Sequence, residues 1–274
     1  MLMTSRVRTP APPGQSQTWG AGASRRAPRL DLPGPVRHVC RDQGIGDAAG
    51  GTPQMTDIRP RRSVLYMPGA NERALEKAKT LPADSLILDL EDAVAPEAKA
   101  EARDRVCAAV KAGGYGPREL IVRVNGPDTE WGHDDIKAAV AAGPDAILAP
   151  KVDSADDIAR LNAAIKSAGG DKHPALWVMI ETPLAILNLK EIAAEAKRSA
   201  LAGFVMGTND LIKDFRAEPV ADRSNLATTL TLAIAAARAF DLLIFDGVYN
   251  DIQNAEGSRR RPARAAPSAS TARP

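Results

Sequence analysis

Acidic side chains stand at the ends of apolar runs in this sequence, where they could act together on one cation. Glu181 follows the run ALWVMI, and Asp210 comes shortly after the run GFVMG. Carboxylate oxygens, completed by water and substrate oxygens, are the ligands that Mg²⁺ prefers in proteins. The two residues therefore predict a Mg²⁺ site, against the alternative that each acid only caps a helix or pairs with a basic residue.

A second acidic cluster lies in ADSLILDLEDAV, where Asp89, Glu91 and Asp92 fall close together. Glu91 and Asp92 fit best as acceptors for waters on the metal ion and for nearby cations. Asp89 alternates with them and is the less certain member of the cluster. We expect the metal ion and a lysine or arginine on another strand to balance the negative charge of these acids.

Basic and amide side chains follow other apolar runs and complete the candidate site. Arg123 ends the run ELIVR, and an arginine beside two carboxylates indicates a substrate that carries an oxyanion. Asn209 directly precedes Asp210 and is assigned, with Arg123, Glu181 and Asp210, to substrate binding. Lys151 of APKV is expected to pair with neighbouring acids, and the alternative of a Schiff-base lysine has less support.

Seven short apolar runs supply the elements that must position these side chains. They are rich in Leu and β-branched residues and nearly continuous in hydrophobicity, which is typical of strands buried on both faces of a parallel sheet. Segments rich in Ala, Glu and Lys, with helical spacing, separate them. The predicted strands are SVLYM (63–67), SLILDL (85–90), ELIVRV (119–124), DAILAP (145–150), ALWVMI (175–180), GFVMG (203–207) and LLIFD (242–246).

Capping residues mark where the intervening helices begin. Asn71 is a favourable N-cap for NERALEKAKT, and Pro96 opens the segment PEAKAEARDRVCAAVKAGG. Ser154 is followed three residues later by Asp157, which is the spacing of a capping box. The sequence thus alternates strands and helices, and this alternation predicts a parallel α/β fold.

Seven strand–helix units fit either of two folds, a TIM-type (β/α)₈ barrel with about seven of its eight units or a doubly wound sheet. Polar residues that converge from many strand ends are typical of the carboxyl face of a TIM barrel. A doubly wound sheet usually has a glycine fingerprint after its first strand, whereas this first strand ends in MPGANER. We therefore predict the barrel.

Composition divides the chain into three segments. Residues 1–57 and 258–274 are rich in Pro, Ala and Arg and lack periodicity, which predicts disordered extensions. An organellar targeting segment is the less favoured alternative for the first of them, and Met55 offers an alternative start. Residues 58–257 form the predicted barrel domain, which is incomplete.

Charge and cysteine content exclude several classes of protein. A net charge of +2 gives no general attraction to nucleic acid or to anionic lipid. No apolar stretch approaches the roughly 20 residues that span a bilayer. Cys40 and Cys107 are in no metal or redox spacing, which suits a reducing compartment. We expect a cytoplasmic protein with no nucleic-acid and no membrane partner.

Several motifs together resemble a known enzyme family. RRSVLYMPGANERALEKA, SLILDLEDAVAPEAK, VRVNG, GPDAILAPKV, MIETPLAILN, VMGTNDL and DGVYNDIQNAEG occur in this order. They are similar to the citrate lyase β-subunit-like family, within the HpcH/HpaI aldolase superfamily that includes malyl-CoA and citramalyl-CoA lyases. The resemblance runs from about residue 58 to 257 and implies a Mg²⁺-dependent TIM-barrel lyase that acts on a 3-hydroxyacyl-CoA thioester.

The resemblance also implies roles for individual residues. Glu181 and Asp210 match the two metal ligands of the family, and Arg123 matches its catalytic arginine beside the thioester carbonyl. In the family the metal chelates the oxoacid half, and carbon–carbon cleavage leaves the enolate of the acyl-CoA. Basic residues near the first strand are candidates to contact the phosphates of CoA; they are Arg62, Arg73 and Lys77.

The end of the chain departs from the family pattern. After NDIQNAEG the family continues with a helix, an eighth strand and a lid that carries a catalytic acid, whereas this sequence continues SRRRPARAAPSASTARP. No residue can be assigned as that acid. The alternatives to a CoA-ester lyase are an aldolase acting on free 2-oxo acids and an inactive truncated paralogue that serves as a binding partner. If the fold is intact, the family implies a homo-oligomer, either a trimer or a hexamer.

Overall fold

A computed structural model describes residue 59 and residues 61–169, 173–251 and 253–254. The predicted extensions, residues 1–57 and 258–274, lie outside the described residues. In the part of the chain that is described, no helix has both the length and the apolar character needed to cross a membrane.

Among the described residues, seven β-strands occur where the seven apolar runs predict them. All of them are short, with three to six residues each. The strands are β1 (Val64–Pro68), β2 (Ser85–Asp89), β3 (Glu119–Arg123), β4 (Ala146–Ala149), β5 (Ala175–Ile180), β6 (Leu201–Met206) and β7 (Leu243–Phe245).

Helices follow the strands in alternation, with short 3₁₀ turns at Pro96–Ala98, Glu195–Lys197 and Ser224–Leu226. Several of the helices are split or very short. The α-helices are α1 (Glu72–Ala78), α2 (Lys99–Ala112), α3 (Gly132–Ala142), α4 (Ala155–Gly169), α5 (Pro183–Leu187), α6 (Leu189–Ala194), α7 (Thr208–Asp214) and α8 (Ala227–Ala239).

The predicted capping residues hold the helix starts. The Asn71 side chain accepts a hydrogen bond from the Ala74 N–H at 3.0 Å. Ser154 and Asp157 form the predicted capping box, in which the Asp157 N–H donates to Ser154 Oγ and the Ser154 N–H donates to Asp157 Oδ2. These reciprocal bonds satisfy backbone donors that the first turn of a helix otherwise leaves without partners.

The strand order distinguishes the two folds that the sequence left open. All seven strands are parallel and lie in the order β1 to β7, so each strand pairs with its neighbour in sequence. A doubly wound sheet would instead reverse direction at a switch point. The barrel prediction is confirmed as an open barrel of seven units, since β7 does not pair with β1 among the described residues.

Side chains alternate between two apolar layers along each strand. Outward residues such as Leu88, Val122 and Phe204 pack under the helices. Inward residues form a smaller cluster inside the barrel, where Trp177 is 1% exposed and stacks on Phe245 with ring centroids 4.5 Å apart. Because the side-chain period of a strand is two, any polar residue in step with the inward set points into the barrel.

Three arginines bind the amino ends of the strands together. Arg59 pairs with Asp145 at 2.7 Å, and Arg61 donates two hydrogen bonds to Glu119, at 2.6 and 2.8 Å. The third pair joins Arg62 to Asp84, whose carboxylate accepts from both the backbone and the guanidinium of Arg62. We call Arg59, Arg61 and Arg62 the arginine strap, because their acidic partners stand at the starts of β4, β3 and β2.

Candidate active site at the carboxyl ends of the strands

Buried charged residues stand at the carboxyl ends of β2, β3 and β5. Asp89 and Glu181 are each 2% exposed, and Arg123 is 5% exposed. Each is two residues beyond an inward apolar residue, as Asp89 is beyond Ile87. The period of the strands therefore brings these charges into the mouth of the barrel.

Arg123 is held by a bidentate ion pair with Asp89, the residue directly opposite it in the β2–β3 register. Nε lies 2.6 Å from Asp89 Oδ1, and Nη2 lies 2.6 Å from Oδ2. The guanidinium also lies over the Tyr66 ring, 5.2 Å from its centroid. Burial acts to lower the pKa of Arg123, but the hydrogen bonds and charge of Asp89 outweigh burial and raise it. The guanidinium is therefore fixed and permanently charged.

The rest of the acidic cluster surrounds the other edge of that guanidinium. Glu91 Oε2 lies 2.6 Å from Arg123 Nη1, and Asp92 Oδ2 lies 3.3 Å from the same atom. Glu91 Oε2 is buried and accepts no well-aligned hydrogen bond within the described part of the chain. Burial of the Glu91 carboxyl raises its pKa to about 7.

The contacts of the three acids with Arg123 differ from one another. Asp89, the less certain member by sequence, accepts two hydrogen bonds from Arg123 at 2.6 Å, whereas Asp92 lies 3.3 Å from Nη1 and has a side chain that is 74% exposed. The physical reason is the register, which places Asp89 but not Asp92 beside Arg123 inside the barrel. In this structure the acids form ion pairs with the Arg123 guanidinium.

A second group at the same end joins Glu181, Asp210 and Lys151. The Lys151 N–H donates to Glu181 Oε1 at 2.8 Å, its Nζ lies 3.6 Å from the same oxygen, and Nζ also donates to Asp210 Oδ2. Lys151 thus pairs with the neighbouring acids, as the sequence indicated. Its backbone has a φ of 53°, an uncommon conformation for a residue with a side chain.

The electrostatics of this second group follow from burial and from the shared ammonium. Burial is the main cause that raises the pKa of Glu181, against the hydrogen bond from the Lys151 backbone. Burial acts to lower the pKa of Lys151, but the hydrogen bond to Asp210 and the charge of Glu181 together raise it. Two carboxylates are therefore directed at one cationic position.

The donor set of this group fits Mg²⁺. No cluster of three or more His, Cys, Asp or Glu residues suited to a metal is found among the described residues. However, Mg²⁺ needs only one or two carboxylates when water and substrate oxygens complete its shell. Gly207 leaves room for the Glu181 side chain, because a Cβ on Gly207 would lie 2.3 Å from Glu181 Cβ and 2.6 Å from Oε2.

Asn209 lies in the first turn of α7, next to Asp210. Its side-chain amide exchanges hydrogen bonds with that of Asn250, at 2.9 and 3.4 Å. This pair joins the first turn of α7 to the segment after β7 at the carboxyl end of the sheet. The structure therefore places Asn209 beside a candidate metal ligand, with its side chain directed at Asn250.

The three basic residues suggested for CoA do not lie together. Arg62 precedes β1 and belongs to the arginine strap, so it stands at the amino ends of the strands, opposite the candidate site. Its grouping with Arg73 and Lys77 is corrected, because a residue before a parallel strand and a residue after it are separated by the length of the strand. Arg73 and Lys77 lie on α1, directly after the carboxyl end of β1.

An open cleft of about 590 Å³ adjoins α1 at the carboxyl end of β1. Arg105, which the sequence did not single out, also lines it and donates from Nη1 to the Ala70 carbonyl at 2.8 Å. Nothing in the spacing of α2 marks Arg105 as different from its other basic residues. The residues that line the cleft are Pro68, Ala70, Asn71, Glu72, Arg73, Ala93 and Arg105.

Comparison with known proteins gives a family match over most of the chain. Residues 62–272 match the family model described as HpcH/HpaI aldolase/citrate lyase. Among curated proteins, the (3S)-malyl-CoA thioesterase of Cereibacter sphaeroides strain ATCC 17025 is 49% identical over 200 residues, which covers 73% of this chain and 67% of the relative. Citrate lyase subunit beta of Escherichia coli K12 is 36% identical over 209 residues, which covers 74% of this chain and 68% of the relative.

A solved structure has the same fold. The CitE protein of Mycobacterium tuberculosis, in complex with magnesium, acetoacetate and coenzyme A, is 26% identical with a TM-score of 0.62. The similarity covers 75% of this chain and 73% of that one.

Proposed function

We propose that this chain, which belongs to the HpcH/HpaI aldolase/citrate lyase family, is a Mg²⁺-dependent carbon–carbon lyase. Its substrate would be a 3-hydroxyacyl-CoA of the malyl, citramalyl or citryl type, and its products an acyl-CoA and an oxoacid. The observation that carries the proposal is the arrangement at the carboxyl ends of the strands, where a fixed guanidinium stands at the same face as two carboxylates directed at one cation.

The metal site of the proposed enzyme is formed by Glu181 and Asp210, whose carboxylates both face Lys151 Nζ. When bound, Mg²⁺ would polarise the substrate oxygen that becomes the carbonyl of the oxoacid. Lys151 would then leave the position between the two carboxylates and pair with the substrate carboxylate or with Glu91. Asn209, released from Asn250, would donate to the same part of the substrate.

Arg123 has the catalytic role in this proposal. Asp89 holds Nε and Nη2 of the guanidinium and Glu91 contacts Nη1, so the orientation of its N–H donors is set before the substrate arrives. Negative charge that develops on the thioester oxygen during cleavage would be stabilised by these donors. A preorganised donor of this kind typically contributes about 3–4 kcal/mol to the lowering of the barrier.

Arg73 and Lys77 are proposed to contact the phosphates of CoA. Both side chains are exposed on α1, and Arg73 lines the cleft at the carboxyl end of β1. The complex of the similar CitE protein with coenzyme A supports a CoA thioester as the substrate class. A homo-oligomer and a cytoplasmic location also remain predictions, the first of which light scattering of the purified protein can test.

Hydrolysis of the same thioester is the second candidate function. It is favoured by one observation, the 49% identity with a protein named (3S)-malyl-CoA thioesterase. In that reaction water would add to the thioester carbon and the carbon–sulfur bond would break, which releases the free hydroxy acid and CoA thiol. The carbon–carbon bond that the lyase cleaves would stay intact. The arrangement around Arg123 would serve both reactions, since both develop charge on the thioester oxygen.

The products separate these functions in one experiment. The purified chain is incubated with malyl-CoA and citramalyl-CoA in Mg²⁺ or in EDTA, and oxoacid release is followed as a phenylhydrazone while free CoA is followed with a thiol reagent. A lyase forms the hydrazone without thiol, and a thioesterase forms thiol without hydrazone. Cleavage of free hydroxy acids without CoA would support the aldolase alternative, and no product from any substrate would support an inactive paralogue.

Three variants test the assigned residues. Glu181→Gln and Asp210→Asn are expected to abolish Mg²⁺ binding in calorimetry, while Asp214→Asn, an exposed acid on the same helix as Asp210, leaves it unchanged. Arg123→Ala is expected to lower kcat by about 100-fold or more, with Mg²⁺ affinity retained. Near-normal cleavage by all three site variants would contradict the assignment.

A further inference from the structure

Lys99 is a buried lysine outside the residues that the proposed reaction uses. It is the first residue of α2 and is 6% exposed. Its Nζ donates to the carbonyl oxygens of Leu90, at 3.0 Å, and Glu91, at 2.9 Å. The ammonium also lies 5.2 Å from the centroid of the Trp131 ring.

No carboxylate lies within ion-pair distance of Lys99 among the described residues, although acids are abundant nearby. Burial of an ammonium without a counter-charge is costly, so a methionine or leucine would fill this position at lower cost. The two carbonyl dipoles and the aromatic face offset part of that cost. Unlike an apolar residue, the lysine donates hydrogen bonds to the peptide carbonyls of Leu90 and Glu91.

Those peptide groups belong to the turn that surrounds Arg123. The Leu90 N–H donates to the Arg123 carbonyl at 2.9 Å, and the Leu90 carbonyl also accepts from the Asn125 amide at 3.0 Å. On the opposite side of the turn, the N–H groups of Glu91 and Ala93 donate to the Asp89 carboxylate. The turn is therefore fixed on one side by Asp89 and on the other by Lys99 and Asn125.

We propose that Lys99 is a positioning residue, whose ammonium holds the 90–91 peptide groups so that the Glu91 carboxylate stays against the Arg123 guanidinium. This inference rests on the proposed function, in which Arg123 is catalytic. Glu91 reaches Arg123 Nη1 at 2.6 Å only while the turn keeps its shape. Lys99 thus acts from α2, behind the turn, without touching the substrate.

The first test separates catalysis from binding. Lys99→Met keeps the length of the side chain and removes its donors, and we expect kcat to fall about tenfold because the guanidinium loses one restraint on its orientation. KM for the CoA ester and the Mg²⁺ affinity from calorimetry should change less than about twofold, because neither contact involves Lys99. Lys111→Met, an exposed lysine in the last turn of the same helix, is the matched control.

The second test does not depend on activity. Hydrogen exchange is measured by mass spectrometry in peptides that cover residues 88–98 and α2. In Lys99→Met, exchange should rise in the turn at the Glu91 and Ala93 amides, while the protection of α2 stays at the wild-type level. Addition of ethylamine or propylamine to Lys99→Ala, which leaves space for a small ammonium ion, should restore part of kcat.

Two results would overturn the proposed role of Lys99. Unchanged exchange in the turn of Lys99→Met overturns it, and so does an equal loss of protection in the turn and in α2, since the lysine would then only stabilise the fold. If the wild-type chain converts none of the CoA esters, the proposed function fails and the exchange measurement still decides whether Lys99 holds the turn.

Discussion

At the scale of single residues, Glu91 differs from the other acids of the site. Asp89 is neutralised by two hydrogen bonds from Arg123, whereas Glu91 has one buried oxygen that accepts no well-aligned hydrogen bond in the described structure. Burial of the charged form is costly even beside the Arg123 guanidinium, and burial accordingly raises the pKa of the Glu91 carboxyl above that of an exposed glutamate. The charge of the turn around Arg123 therefore changes near neutral pH.

We predict a stability effect from this shifted pKa. Burial raises the pKa of Glu91 from its usual 4.5 to about 7, so the folded chain binds more protons than the unfolded chain between these values. The favourable contribution of the protonated group is complete below pH 4.5 and is lost as the pH rises through 7. One such group changes the free energy of unfolding by at most about 1.4 kcal/mol per pH unit.

Thermal unfolding in EDTA checks this prediction. Glu91→Gln cannot lose a proton, so its Tm relative to wild type should increase between pH 5 and pH 8. Glu97→Gln, an exposed acid at the start of the segment leading into α2, is the control and should show no such trend. A constant difference between Glu91→Gln and wild type across this pH range would refute the prediction.

At the scale of elements, the sequence was sufficient for the strands but not for the contacts between them. Each strand is a short apolar run of a kind that a single sequence shows directly, and all seven were found. The partnership of Asp89 with Arg123 depends on the β2–β3 register, which no property of either strand alone reveals. Lys99 could not be found because its partners are carbonyl groups, which every residue has.

The position of Arg62, by contrast, could be predicted from the sequence. Once a parallel barrel is predicted, a residue before the first strand must lie at the amino ends and away from the site. The assignment to CoA followed from the family resemblance, which implied a phosphate contact for Arg62 together with Arg73 and Lys77. Because Arg62 precedes β1, it lies at the amino ends of the strands, where it pairs with Asp84 at the start of β2.

Gly207, directly after β6, packs against Glu181, directly after β5, and this contact gives a prediction. Gly207 has a φ of −87°, which any residue adopts, so only the contact with Glu181 excludes a side chain there. We expect Gly207→Ala to displace the Glu181 carboxylate and to weaken Mg²⁺ binding by about tenfold or more. Calorimetric titration with Mg²⁺ measures the effect.

Gly126→Ala provides the comparison for this variant. A Cβ on Gly126 would meet only Thr129 Cγ2 at 3.7 Å, an ordinary contact, so its Mg²⁺ affinity should match wild type. Circular dichroism establishes that both variants remain folded. Equal Mg²⁺ affinity in folded Gly207→Ala and wild type would show that Glu181 does not depend on this packing or does not bind the metal.

At the scale of the whole molecule, the open barrel has its stabilising ion pairs at one end and its candidate chemistry at the other. The arginine strap joins the starts of β2, β3 and β4 by salt bridges. The carboxyl ends hold the buried charges of the candidate site, Asp89, Arg123 and Glu181. Such separation is typical of barrel enzymes, in which the amino face contributes stability and the carboxyl face contributes activity.

The strap predicts unequal effects of its members. Arg61 partners Glu119, whose side chain is only 6% exposed, so Arg61→Ala leaves a buried carboxylate with Ser85 and a distant Arg59 as its contacts. We expect the free energy of unfolding to fall by about 1–2 kcal/mol. Arg62, with a side chain that is 80% exposed, should be replaceable by Ala with no measurable loss.

Urea unfolding followed by circular dichroism measures both variants, and kcat measured on the same preparations serves as the control. Because the strap lies at the amino ends, neither substitution should alter kcat at a temperature where the protein is folded. A larger loss of stability in Arg62→Ala than in Arg61→Ala would contradict the importance of burial at Glu119.

The stacking of Trp177 on Phe245 has an optical consequence. Trp177 is 1% exposed inside the barrel, and its ring partner belongs to β7, at the end of the described sheet. An indole in such surroundings emits at shorter wavelength than one in water, so a red shift of its fluorescence would accompany departure of β7 from the sheet. The fluorescence of Trp177 therefore reports whether β7 stays paired in the sheet.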